Sequence, residues 1–230
     1  MTHHSVQVDP LDSPHPIPWN WVLATLSASH SSHLAGTYYY RTQSLISPDQ
    51  VYAAYSRIQM QVSLDYFGSS VTSVLFLENL QTGDLQAITP TSPLADNPFL
   101  NTGGDLQGRI SIVMPVSWSQ SGDRLLAREF ESILGSDIAS DYAVVVDRQR
   151  NRVHTVAPTR IRYTNAVLLG WSHLHPSRVL FRAGMMGDEH WQQWSVDTAG
   201  HTTLARGDRP ILFGQVVSSV WTGPQMQNQQ

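Results

Sequence analysis

Cysteine is absent from the 230 residues, which removes thiol nucleophiles, disulfides, thiolate zinc sites and iron–sulfur ligation from this chain. Lysine is absent as well, so all 14 basic residues are arginine. Schiff-base chemistry, covalent pyridoxal binding, the phosphate-loop lysine and the strand lysine of protein kinases have no residue to perform them. Charge of either sign is scarce, at 14% against about 25% in typical domains. A net charge of −4 offers no basic field, so nucleic acid is not expected as a partner. No run comes near the roughly 18 apolar residues of a membrane span, and no membrane insertion is expected.

Hydrophobic residues still make up 41%, and Ser, Thr, Gln and Asn fill the space left by charge. That balance favours a turn-rich all-β chain, and 230 residues suffice for one core without a covalent staple. The opening "MTHHSVQVDPLDSPHPIPWNW" has neither the charged start nor the apolar segment of a secretory signal, so a soluble cytoplasmic protein is the expectation. Pro10, Pro14, Pro16 and Pro18 make residues 1–18 an expected extended or disordered arm. Residues 19–222 are expected as a single β domain, and 223–230, from "GPQMQNQQ", as a disordered tail.

The interior repeats itself. "SLISPDQVYAAYSRIQ", "VSWSQSGDRLLAREFE" and "LGWSHLHPSRVLFRAG" each run from an apolar residue (Ile46, Trp118, Trp171) through a serine (Ser47, Ser119, Ser172) and a polar turn into a strand-like stretch. A hairpin pattern follows each: "VLFLENLQTGDLQAIT", "YAVVVDRQRNRVHTV" and "WQQWSVDTAGHTTLA", two strand patterns around a polar turn. Four strands per unit is the composition of a propeller blade. Asp147 and Asp197 hold equivalent hairpin positions, where a carboxylate caps turn amides.

In "SPDQVYAAYS", "WSQSGDRLLARE" and "VDTAGHTTLA" the chain resembles TolB-type, WD40-like propeller repeats, over about residues 40 to 206. The resemblance implies an all-β fold of three antiparallel four-stranded blades with irregular terminal strands. The departures are specific. Gln50 stands for the expected glycine, Gln120 and Ser121 for Pro-Asp, and His175-Pro176 lengthens the third turn. The serines recur after 72 and then 53 residues, where blades recur at about 40 to 50. Three units need completion, and "HLAGTYYYRTQ" and "RPILFGQVVSSVWTG" are expected to pair with each other or with a terminal unit; otherwise open edges invite self-association.

Several stretches invite a functional reading. Residues 90–108 form a long Pro/Gly-rich loop whose "NTGGD" would make either an anion-binding nest or a plain turn. Residues 130–141 are a candidate short helix. "AVLLGWSHLHP" has the outline of a hydrolase nucleophile elbow at Ser172, with Asp188 or Asp197 and His190 or His201 following in order. Leu174 stands where the second glycine belongs, however, and "SRVLFRA" continues as strand. Histidine-rich loops (His30 with His33, His173 with His175, Asp188-Glu189-His190) allow a metal or small-ligand reading, or a plain polar surface. Trp191 and Trp194 flank a loop.

Arg148, Arg150, Arg152, Arg160 and Arg162 crowd fifteen residues of a net acidic chain. In extended backbone Arg150 with Arg152, and Arg160 with Arg162, would share a face, and guanidinium forks suit an acidic protein surface. The expectation is a non-catalytic interaction or assembly module using those five arginines, with no cofactor, metal or catalytic residue assigned. A hydrolase at Ser172 and a ligand-binding protein using its histidine loops are the alternatives.

Overall fold

Residues 8–94 and 107–225 are described in a computed structural model, and strands are by far their commonest regular structure. The first element is helical: α1 (Trp19–Ser32) begins after Pro18, whose fixed backbone suits a helix start, and stops at His33 in a left-handed turn with φ 53°. Val22, Leu26 and Ser29 fall on one side and are buried. They cover Ile58, Met60, Ile110 and Phe130. The strands are β1 (Gly36–Arg41), β2 (Ser44–Ile46), β3 (Tyr52–Val62), β4 (Ser70–Asn79), β5 (Leu85–Ile88), β6 (Arg109–Trp118), β7 (Arg124–Ile133), β8 (Ala139–Asp147) and β9 (Arg152–Val156). They continue with β10 (Asn165–Ser172), β11 (Val179–Gly184), β12 (Gln192–Val196), β13 (Thr202–Leu204), β14 (Pro210–Ile211), β15 (Gln215–Val217) and β16 (Gly223–Gln225).

The three expected hairpins all form, as β4 with β5, β8 with β9 and β12 with β13. Three separate blades do not. The strands gather into two sheets, neither closed on itself: eleven strands running β15-β2-β3-β4-β6-β7-β8-β9 with β1, β16 and β5 attached, and five running β13-β12-β11-β10-β14. The merger comes from the junction of β4 with β6, where Ser73 also donates to Ser111 O and accepts from Val113 N. The start of β4 meets β6 in parallel at Val71 and Ile110, which fuses the first two units. Leu126, Ala143 and Val145 from the large sheet then pack against Leu168, Trp171 and Phe181 from the small one.

The terminal segments do complete the structure. β1 pairs with β3 and with β16, β15 pairs with β2, and β14 pairs with β10. Residues 223–225, expected in the loose tail, are thus a strand. The candidate helix at 130–141 is instead the end of β7, a turn and the start of β8, because Phe130 through Ile133 are paired to β6 and Ala139 through Asp141 to β7. The "NTGGD" nest lies outside the described residues.

The segment expected as a loose arm is anchored from Asp9 onward. Asp9 accepts amide hydrogens from Leu11, Ser13 and Ile17, and Arg128 of β7 donates to its two oxygens at 2.6 and 3.1 Å. The same guanidinium donates to Asp141 of β8 at 2.7 Å, and Asp141 accepts from Leu168 N of β10. Arg128 is wholly buried, so one cation joins the N-terminal segment to both sheets. Burial raises the Asp9 pKa, but the hydrogen bonds and charge of Arg128 more than offset it and hold the group below the usual carboxylate range. Burial pushes Asp141 up to about 6 against the pull of the same guanidinium.

Candidate functional site

The three serine turns adopt related geometry. Ser47 N donates to Tyr52 O and Ser119 N to Arg124 O, each at 2.8 Å, and Ser172 N donates to Arg178 O at 3.0 Å, one residue further on because of the extra His-Pro length. Each serine hydroxyl also accepts an amide hydrogen, from Tyr52, Arg124 and His175. Each donates to a carboxylate: Ser47 to Asp49, Ser119 to Asp123 at 2.6 Å, and Ser172 to Asp208 at 2.5 Å. The third turn contains no acid of its own, so Asp208 arrives from the C-terminal segment and also accepts from His173 N and Leu174 N.

The preceding residues correspond in their pairing. Trp171 is opposite Ile211, Trp118 opposite Phe213 and Ile46 opposite Gln215. One extended C-terminal segment therefore passes the three units at every second residue. Trp118 and Trp171 are fully buried, whereas Ile46 is half-buried. The residue after each of the first two turns then packs on the tryptophan of the next unit. The Tyr52 and Trp118 ring centroids are 6.5 Å apart, and the Arg124 guanidinium lies 5.0 Å from the Trp171 ring centroid.

This geometry bears on Ser172. Its hydroxyl faces an aspartate, β11 follows where an elbow would place a helix, and no described histidine ring is bonded to it. Among the described residues no three His, Asp or Glu side chains converge as a metal-ligand set. His201 Nδ1 instead contacts Asp197 at 3.1 Å. Asp147 and Asp197 cap their hairpins, accepting from Arg150 N, and from Ala199 N and His201 N. Asn79 caps the first hairpin in the same way, a correspondence the carboxylate pattern had hidden.

The five arginines do not share one face. Arg148 is spent inside the fold: its guanidinium lies 3.5 Å from the Tyr52 ring centroid, donates to Gly122 O and sits 3.6 Å from Asp49. Arg150 is in the turn before β9 and pairs with Asp147 at 2.7 Å, a bond that depresses the Asp147 pKa. Arg152 opens β9, while Arg160 adopts φ 59° and Arg162 follows it in a loop. The expected alternation fails because only Arg152 is in a strand. Arg152, Arg160 and Arg162 are exposed, and none has an ion pair among the described residues. Arg152 is on β9, the last strand of the large sheet, whose other side is unpaired among the described residues, and Arg160 and Arg162 follow in the loop that Thr159 ties to Gly200 and Thr202 of the β12–β13 hairpin.

Two concavities indent the surface. One of about 470 Å³ lies between the N-terminal segment and residues 186–191, with Trp191 in its wall. Its Asp9 is committed to Arg128, its Asp188 accepts from Met185 N, and its Arg182 donates to Asp12 O. The other, about 330 Å³, lies between the second and third serine turns, lined by Gln120, Arg124, Trp171, Pro176, Ile211 and Phe213. Sequence reasoning missed it, because Arg124 reads as the first residue of a strand and Phe213 lies 89 positions away. No family model matches the chain, and neither a curated protein nor a solved structure does.

Proposed function

We propose that the chain is a non-catalytic interaction or assembly module, built from three divergent propeller-like units, which takes up an acidic protein segment along the β9 edge. The observation that carries this is the set of exposed arginines Arg152, Arg160 and Arg162, unpaired with any described acid, the first on and the other two just after a strand with one side unpaired among the described residues. An extended acidic segment would supply carboxylates to the arginine forks and backbone partners to β9. The recurrent serine turns support reading the units as divergent blades.

The test is fluorescence anisotropy with a labelled extended peptide alternating Glu and Val, beside its Gln-for-Glu counterpart. The Glu peptide is expected to bind, to weaken as salt rises, and to weaken about tenfold or more when Arg152, Arg160 and Arg162 are all replaced by Glu. Equal binding of the Gln peptide, or no change in the triple variant, would overturn the reading.

A further inference from the structure

From the walls of the 330 Å³ cavity we propose a second site, independent of the β9 edge, that binds a small monocarboxylate with an apolar body. The volume falls at the lower end of small-molecule pockets, which start near about 300 Å³. Its lining combines polar and apolar groups. Trp171, Pro176, Ile211 and Phe213 supply an apolar wall, and Arg124 and Gln120 supply donors.

Arg124 is the group that sets the ligand class. Its Nη2 donates to Pro176 O at 3.0 Å and its guanidinium lies over the Trp171 ring, which fixes the plane of the fork. No described acid forms an ion pair with it. A buried or half-buried arginine held in place with donors to spare is suited to a carboxylate, which it meets with two parallel hydrogen bonds.

The neighbouring groups narrow the choice. Ser119 and Ser121 both line the cavity, but each gives its hydroxyl hydrogen to Asp123 Oδ1, at 2.6 and 2.5 Å. Burial raises the Asp123 pKa, yet those hydroxyls and Arg124 bring it below the usual range, so Asp123 is ionised at neutral pH. A fixed negative charge one residue from Arg124 repels a dianion more than a monoanion. Phosphate is thereby disfavoured, and the apolar wall disfavours acetate. Free aryl-alkyl acids and the C-terminus of a peptide ending in an aromatic residue share the required chemistry.

Ligand-observed NMR on the full chain tests this with 3-phenylpropionate and with N-acetyl-glycyl-phenylalanine; the tighter of the two identifies the source. Saturable binding is expected at about millimolar strength for a ligand of this size. It should weaken about tenfold or more for 3-phenylpropanamide and in Arg124→Gln, with inorganic phosphate failing to compete. Ser121→Trp, at an exposed position on the rim, should block the cavity without touching the core, so the test survives should Arg124→Gln fold poorly. Replacing Arg152, Arg160 and Arg162 by Glu should leave this binding unchanged, which separates it from failure at the β9 edge. No saturable binding by either acid, or equal binding in Arg124→Gln or Ser121→Trp, would overturn the proposal.

Discussion

Glu129 stands in the middle of β7 with its carboxyl wholly out of water. The Ser111 hydroxyl donates to Oε1 at 2.5 Å, while Oε2 has no partner among the described residues. Burial, with the nearby charges of Glu131 and Asp141, pushes its pKa up to about 8, so the group is protonated at neutral pH. An unfolded glutamate releases its proton near pH 4.5. Between those values the folded chain holds a proton that the unfolded chain does not, so this residue makes stability fall as pH rises, by about 1.4 kcal/mol per unit. Glu129→Gln keeps an acceptor for Ser111 and removes the titration. The variant should match the parent near pH 5 and exceed it increasingly up to pH 8 in urea denaturation. A constant difference across that range would show that the carboxyl is not held protonated. In "RLLARE" nothing signals this, because a strand-like stretch ending in adjacent charges does not say which of its faces the rest of the chain covers. Both faces of β7 are covered instead, one by the N-terminal segment at Arg128 and the other by the chain at Leu94, whose amide donates to Glu131.

Among the elements, the turns were the most legible. A serine followed by Pro, Asp or Gly specifies local side-chain hydrogen bonds, and Ser47 and Ser119 realise them with acids two and four residues away. The third turn could be located but not completed from sequence. His173-Leu174-His175-Pro176 carries no acid, and nothing local points to Asp208, 36 residues beyond Ser172. Helix α1 was hidden for a related reason: the prolines before Trp19 dominate the reading, and its inward side consists of only Val22, Leu26 and the polar Ser29. Asp208 should repay mutation. Burial opposes its ionisation, but the Ser172 hydroxyl and the amides of Leu174, Arg209 and His173 prevail, so its pKa is lowered. Its contribution is present above the ordinary carboxylate pKa and is lost as the solution becomes more acid. Asp208→Ala is expected to cost about 2–3 kcal/mol between pH 5 and 8, with the penalty shrinking below about pH 4. Urea titrations at pH 3.5 and 7 would measure this, and equal penalties at both would refute the charged role.

At the level of the molecule, the strand order along each unit was readable from turn residues and hairpins, and the joining of units was not. A short parallel pairing at Val71 and Ile110, bridged further by Ser73, merges two units into one sheet, and so brief a pairing leaves no sequence signature. The pairing of the terminal pieces was anticipated because both are strand-like and three open units leave edges to cover. The structure adds how it is done: Ile211, Phe213 and Gln215 meet the three units in turn. Gly214 makes the middle of that crossing feasible. Its φ is 107°, and a Cβ there would approach Ile46 O and the Trp118 ring to 2.8 Å. Removing residues 210–230 should therefore abolish cooperative thermal unfolding and the near-ultraviolet signal of packed tryptophans. Retention of a single sharp transition would show that the units stand without the segment.

That crossing also sets a timetable. A ribosome delivers Trp118 and Trp171 long before Phe213 and Gln215, so the growing polypeptide carries two indole-bearing strands whose partners have yet to be translated. Native assembly waits until residues 211–215 have been made, and chains released before them are unfinished along their central seam, the surface by which quality-control machinery would distinguish them from chains that carry the crossing.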